Sequence, residues 1–481
     1  MFIDSGLQNN ALFFKLGGMK RAALHRLLEW LDEPGRRPLV LRGARQVGKT
    51  WLVRELARAA GRELVEINFE RDPGLKRLFA SNDPRRILGE LSLALGRDIA
   101  AESSLLFLDE IQAAGEVLAS LRWFFEALPI LPVVAAGSLL EFTLAEHSFS
   151  MPVGRVAFRH IEPMGFSEYL EAHGQDVLLR TLHAWRTSEM LSPVAHERAT
   201  HWFQRYAMVG GMPAVVAIDV AGEAPRRCRE LQRELVATFR ADFAKYRGRM
   251  DQSVLDTVLR AVAGSLGQKF VYAQSGDGIK QHQSKRALEL LASARLCHLV
   301  RYSAAHGVPL GAQVKDTFRK AVLLDVGLLH ALVGTPADQV FPEVGALPPA
   351  LRGQIADQLL GQQLRLSDDA VGDGPELYYW QREGGRPGEI DYLVQRDAQI
   401  IPIELKAGAA GAMKSLHQFM FDRSLPRAVR VDTNPPSTVT LSVQTTQQNQ
   451  VTYRLISVPA YLVWNLAIIL REDSESQRAH S

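Results

Sequence analysis

Eight consecutive residues restrict this chain more than any others. Gly43-Ala44-Arg45-Gln46-Val47-Gly48-Lys49-Thr50 fits G-x-x-x-x-G-K-[ST]. The apolar run Pro38-Leu39-Val40-Leu41 precedes it, and a helical pattern, Trp51-Leu52-Val53-Arg54-Glu55-Leu56, follows. A strand, a glycine-bearing turn and a helix in that order demand an α/β layer, because the turn works only when both flanking elements pack. In such a turn the backbone N–H groups converge on one anion, and the helix N-terminus adds partial positive charge. The pattern therefore points to a nucleotide phosphate. Lys49 would reach the β- and γ-phosphates and Thr50 would ligate Mg²⁺, with ATP as the implied nucleotide.

A second segment strengthens the first. Leu105-Leu106-Phe107-Leu108-Asp109-Glu110-Ile111-Gln112 is a buried-strand pattern ending in two acids. Parallel strands carry functional residues at such carboxyl ends. Asp109 would hold Mg²⁺ through water, and Glu110 would orient and deprotonate an attacking water. A pair of acids, rather than one, argues for hydrolysis as well as binding. Strands are expected at 38–42, 63–68, 105–109, 133–137 and 156–161, separated by helices. Right-handed crossovers then give a parallel sheet covered on both faces. The fourth strand runs out into Gly137-Ser138, where Ser138 would either sense the γ-phosphate or cap the next helix.

Length and composition bound the rest. A chain of 481 residues suggests about three domains. A formal charge of +3 rules out a uniformly basic coat, so any nucleic-acid site must be local. Cys228 and Cys297 lack metal-ligand spacing and read as reduced thiols of a cytoplasmic protein. Residues 1–18 lack the basic start and long apolar core of a signal peptide, and Met19-Lys20-Arg21 reads as a natural domain start. The apolar run Leu455 to Leu470 is too short to span a membrane and contains Pro459 and Asn465. It reads as an edge strand followed by a packed helix. The boundaries expected are an extension at 1–18, a P-loop ATPase domain at 19–215, and a helical linker with a winged helix-turn-helix at 216–340. A nuclease-like α/β domain at 350–470 and a polar tail at 471–481 complete the chain.

The winged-helix expectation rests on two helices followed by Leu296-Cys297-His298-Leu299-Val300-Arg301-Tyr302 and a turn at Ala305-His306-Gly307. Lys280-Gln281-His282-Gln283-Ser284-Lys285-Arg286 would open the recognition helix. DNA contact and protein docking both stay open for it. Further on, Glu389-Ile390-Asp391-Tyr392-Leu393-Val394 and Ile400-Ile401-Pro402-Ile403-Glu404-Leu405-Lys406 read as neighbouring strands. Asp391 and Glu404 would then hold Mg²⁺ while Lys406 positions water, the arrangement of metal-dependent nucleases. An ordinary strand pair with a surface ion pair is the plain alternative. Glu404 and Lys406, two apart, share a strand face.

The order of these motifs resembles a family of bacterial and archaeal AAA-type ATPases whose C-terminal domain is one of unknown function. Besides the segments above, the resemblance is carried by Gly137-Ser138-Leu139-Leu140, Pro152-Val153-Gly154-Arg155-Val156, Gly210-Gly211-Met212-Pro213, Leu324-Asp325-Val326-Gly327-Leu328-Leu329 and the stretch from Trp380 to Lys406. It implies a P-loop ATPase core, a winged helix, and a C-terminal domain similar to the PD-(D/E)xK nucleases, that is, a restriction-endonuclease-like α/β fold. It also implies that Arg155 lies near the phosphates or a neighbouring subunit. Asp357 stands where family members tend to carry Glu in the first helix of the last domain, and its shorter arm weakens the case for cleavage. The reading that follows is an ATP-hydrolysing switch whose later domains engage DNA, RNA or a protein. An ATP-gated nuclease and a non-enzymatic binding module under ATP control are the alternatives, and the oligomeric state stays open.

Overall fold

The computed structural model describes residues 20–138, 154–246, 250–337, 344–367, 375–384, 388–396, 398–406 and 413–480. The expected extension at 1–18 lies outside the described residues, as do Leu139-Leu140 and Pro152-Val153. The chain divides into two compact units, residues 18–163 with 293–295, and residues 164–292 with 296–481.

The first unit is a five-stranded sheet. Its elements are α1 (Ala22–Asp32), β1 (Leu39–Arg42), α2 (Lys49–Ala59), β2 (Glu63–Asn68), α3 (Pro84–Leu95), β3 (Ser104–Asp109), α4 (Gly115–Ala127), β4 (Val133–Ala136) and β5 (Ala157–His160). All five expected strands are present, within a residue or so of their expected bounds. Every pairing is parallel, in the order β2-β3-β4-β1-β5. Because β3 is wholly buried, its sequence is a continuous apolar run rather than an alternation. On one side of the sheet Val65, Ile67, Leu106 and Leu108 pack with Leu118, Leu121 and Phe124 of α4. Helix α2 buries Leu52, Val53, Leu56 and Ala57, the spacing of one helical face. Parallel order has one consequence for function: the carboxyl ends of β1, β3 and β4 open on one edge, bringing Gly43, Asp109 and Ser138 together from distant sequence.

In the second unit the helices α5 (Phe166–Ala172), α6 (Asp176–Ala184), α7 (Pro193–Val209), α8 (Pro213–Val220), α9 (Pro225–Asp242), α10 (Gln252–Gly264) and α11 (Gln281–Ser293) come first. The hairpin β6 (Cys297–Ser303) and β7 (Val314–Leu323) follows, then α12 (Val326–Val333) and α13 (Pro349–Arg365). Next come β8 (Leu377–Gln381), β9 (Glu389–Arg396), β10 (Gln399–Leu405), α14 (Lys414–Arg423), β11 (Arg427–Asp432), β12 (Ser437–Gln444), β13 (Gln450–Pro459) and α15 (Leu466–His480).

Three expectations change here. The hairpin after α11 is no free wing, since β6 pairs in parallel with β8 and the whole forms one mixed sheet, β12-β13-β11-β10-β9-β8-β6-β7. The strand at 450–459 is not an edge, because β12 covers it and takes the edge itself. The polar tail is the continuation of α15, anchored by Asp473, which is buried and accepts from Arg454 and Thr187.

Two motifs of the resemblance meet in this unit and prove to be a packing joint. Asp325 is fully buried and accepts hydrogen bonds from Gly211 N at 2.6 Å, Gly327 N at 2.9 Å and Gln362 Nε2 at 2.9 Å. A Cβ on Gly210, whose φ is +78°, would lie 2.1 Å from Asp325 Oδ1. One on Gly211 would lie 2.0 Å from the Met164 carbonyl oxygen. Only glycines let the α7–α8 turn close over this carboxyl group. No helix among the described residues is long and apolar enough to cross a membrane.

Candidate functional site

The turn after β1 has the backbone that its glycines imply. Gly43 has φ +136° and Gly48 φ +92°, and Gln46 also takes the left-handed region at +62°. A Cβ on Gly43 would sit 2.3 Å from the Ile161 carbonyl oxygen. Gly48 then starts α2, whose first residues are Lys49 and Thr50. The ammonium of Lys49 folds across the turn and donates to the carbonyls of Gly43 at 2.9 Å and Ala44 at 2.8 Å. Buried Arg21, in front of α1, braces the same turn by donating to Val47 O at 2.9 Å and Glu162 O at 2.7 Å. Nothing in the sequence pattern pointed to Arg21.

Two strands away, the acidic pair meets this turn. Thr50 Oγ1 donates to Asp109 at 3.2 Å (Oδ2) and 3.4 Å (Oδ1). Asn68 Nδ2, at the tip of β2, approaches Oδ2 at 3.4 Å, and Glu110 N donates to Oδ1 at 3.1 Å. Burial pushes the Asp109 carboxyl up to about 6, and the charge of Glu110 adds to the rise against the hydrogen bond from Thr50. A cation placed between Thr50 and Asp109 would reverse that shift. A hydroxyl and a carboxylate side by side at a glycine cradle suit Mg²⁺, a hard ion that keeps waters and takes few protein ligands. The residues present thus fit ATP and Mg²⁺.

Glu110 stands in the left-handed region at φ +51° and accepts from Gln112 Nε2 at 2.5 Å. Ser138, buried at the end of β4, accepts from Arg45 Nε at 3.2 Å, so it faces the turn rather than solvent. Arg155 goes elsewhere. It lies just before β5, and Ala157 pairs with Leu39, the first residue of β1. That is the amino edge of the sheet, roughly 10 Å of strand away from the turn at the carboxyl edge. Its guanidinium pairs with Glu126 at 2.9 Å. The expectation of Arg155 beside the phosphates of its own chain is therefore corrected, and its alternative place at a neighbouring subunit is left as it stood.

The second acidic constellation sits in the mixed sheet. Strands β9 and β10 pair antiparallel with Tyr392 opposite Ile403, and the next step of that register sets Asp391 opposite Glu404. Asp391 Oδ2 accepts from Leu405 N at 2.7 Å. Glu404 is buried, and its Oε1 accepts from Lys406 Nζ at 2.6 Å. The other oxygen, Glu404 Oε2, is buried without a hydrogen-bond partner. Burial raises Glu404 to about 7, with Asp391 adding to the rise. Asp357, on α13, accepts from Tyr392 Oη at 2.9 Å, and burial raises it to about 6. Buried Lys320 on β7 meets Glu389 and lies 5.0 Å from the centre of the Tyr379 ring.

The sheet thus brings Asp391, Glu404 and Lys406 together, while Asp357 is spent on Tyr392. Among the described residues no three His, Cys, Asp or Glu side chains are placed to hold one metal ion.

Comparison with known proteins divides the chain in three. Residues 35–170 match the family model of an AAA domain. Residues 200–339 and 352–461 match two domains of unknown function, DUF8612 and DUF4143. No curated protein matches the chain. Among solved structures, an Aeropyrum pernix ORC1 protein in complex with DNA is similar at 16% identity and TM-score 0.25, over 66% of this chain and 92% of that one. The C. elegans protein PCH-2 is similar at 14% identity and TM-score 0.24, over 45% of this chain and 61% of that one. Overlaps of that size carry no argument about what this chain binds.

Proposed function

We propose that this chain, an AAA-domain protein over residues 35–170, binds ATP with Mg²⁺ and hydrolyses it to switch the state of its later domains. One observation carries the reading: Thr50 and Asp109 stand 3.2 Å apart at the mouth of a turn built on left-handed glycines. Bound ATP would supply the phosphoanhydride to be cleaved, and Mg²⁺ would supply positive charge against the phosphates. Backbone N–H groups of residues 43–50 and the start of α2 hold the phosphates in place. Lys49 exchanges its carbonyl partners for phosphate oxygens. Thr50 and, through water, Asp109 would hold the metal. Glu110 orients the attacking water and takes its proton. Catalysis of this kind is positioning and electrostatic stabilisation rather than covalent chemistry.

The second unit is the output. Exposed Lys280, His282, Lys285 and Arg286 at the start of α11 support contact with a nucleic acid, and a protein partner would use the same unit. The nuclease alternative has one observation in its favour, the orphaned Glu404 Oε2 opposite Asp391. Three measurements separate the readings. Lys49→Ala is expected to lose ATP binding, and Glu110→Gln to bind ATP while turnover falls about a hundredfold or more. Unchanged hydrolysis in Glu110→Gln would sink the role given to that residue. With labelled DNA and RNA, salt-dependent binding without cleavage favours the switch. Cleavage by wild type that disappears in Asp391→Ala would establish the nuclease instead.

A further inference from the structure

A chain of polar side chains runs along the carboxyl edge of the first sheet. Ser138 Oγ accepts from Arg45 Nε at 3.2 Å, and Arg45 Nη2 lies 3.8 Å from Glu70 Oε1. Glu70 Oε1 in turn lies 3.4 Å from Gln112 Nε2, the nitrogen that donates to Glu110 Oε2 at 2.5 Å. Five residues from four separate segments thus connect the phosphate turn to the water-activating carboxylate.

Stability does not account for this arrangement. The Arg45–Glu70 contact is long and Glu70 is half-exposed, so it contributes little to stability. Gln112 holds its donor side toward two carboxylates while its own Oε1 is buried with no partner, which costs stability. Glu110 sits in a backbone region that a residue with a Cβ rarely adopts. Two unfavourable features on neighbouring residues, both fixing one carboxylate, mark a site held for its chemistry.

We propose that Gln112 is the positioning residue for Glu110, and that Glu70 and Arg45 tie that position to the phosphate turn. The inference rests on the ATPase reading above. Gln112 fixes one oxygen of Glu110 and leaves the other to face water, and Glu70 limits how far the Gln112 amide can swing. A change in Arg45, whose own turn receives the phosphates, is then felt at Glu110.

The test uses full-length protein and steady-state ATP hydrolysis, with nucleotide affinity measured separately by titration of a fluorescent ATP analogue. Gln112→Met keeps the size of the side chain and removes the donor. Its kcat is expected to fall about tenfold while KM and nucleotide affinity stay at wild-type values. Glu70→Ala is expected to lose about threefold in kcat, and the double variant no more than Gln112→Met alone, since both act through one contact. An unchanged kcat in Gln112→Met, or a double variant with fully additive losses, overturns the inference. So does a fall in affinity equal to the fall in kcat, which marks a structural role. Glu110→Gln is run alongside. Its loss of turnover beside an unaffected Gln112→Met sinks only the inference, whereas wild-type protein without Glu110-dependent turnover removes the ATPase reading and this one with it.

Discussion

Two sheet edges in this protein end in acids, and they are built oppositely. At the first, Asp109 and Glu110 close β3 beside a turn whose donors are backbone N–H groups, a lysine and a hydroxyl. At the second, Asp391 near the start of β9 accepts from Leu405 N, and Glu404 near the end of β10 accepts from Lys406 Nζ through one oxygen while the other stays unpartnered. Both edges hold a carboxyl group raised by burial, to about 6 at Asp109 and about 7 at Glu404. Acids at strand ends therefore do not define a site. The surrounding donors do: a glycine turn presents them outward to an anion, whereas an ion pair within the strand uses them up.

The sharpest way to break this contrast is Gly43→Ala. A Cβ there would meet the Ile161 carbonyl at 2.3 Å with φ at +136°, so the turn cannot keep its shape. ATP affinity is expected to drop about a hundredfold or more, and an affinity near wild type would show that the turn is not the anion site. Next in size is Lys406→Met, which leaves Glu404 buried without its cation. Urea unfolding at pH 8 should show a loss of about 2–3 kcal/mol that fades as pH falls through 7 and the carboxyl protonates. A pH-independent loss would mean that packing, not charge, governs the second edge.

Asp357→Asn should act in the other direction. Its folded-state carboxyl is raised to about 6, above the ordinary unfolded value near 3.9. Its stabilising contribution is therefore present below about pH 4 and is lost as pH rises through 6. Removing the charge while keeping an acceptor for Tyr392 should stabilise the protein by about 2 kcal/mol at pH 8 and by little at pH 4. Greater stability of the wild type at pH 8 would place Asp357 in an ion pair that outweighs its burial. The smallest effect belongs to exposed Lys285 on α11. If this face touches DNA, Lys285→Ala should weaken binding a few-fold and lower the salt slope by about one. An unchanged slope would move the partner surface elsewhere.

Much of the first unit was legible because its signals are local. The five strands followed from apolar runs between helical patterns, and the turn from spacing that glycine geometry dictates. Asp109 and Glu110 were found because a buried strand must end somewhere polar. Arg155 was not beside the phosphates of its own chain because a motif gives residue order, while parallel pairing decides which edge of the sheet a residue occupies. Gln112 stood inside a recognised segment, yet only its contacts with Glu70 and Glu110 set it apart from a polar turn residue.

In the second unit the limits were different. A helix pair and a hairpin resemble a free-standing wing in sequence, but whether β6 takes a further neighbour depends on strand β8, some seventy residues later. The glycines at 210–211 and the aspartate at 325 looked like separate signatures, and folding made them one joint around a buried carboxyl group.

By itself, then, the sequence determined what short-range chemistry can determine: a phosphate turn, a buried strand ending in acids, and alternating helices and strands that require a parallel sheet. Tertiary structure alone decided which acids share an edge with that turn and which are neutralised by their own neighbours. It also decided that the hairpin extends the second sheet. The physical reason is that backbone geometry and residue spacing act over a few residues, whereas hydrogen-bond satisfaction and burial depend on partners brought from anywhere in the chain.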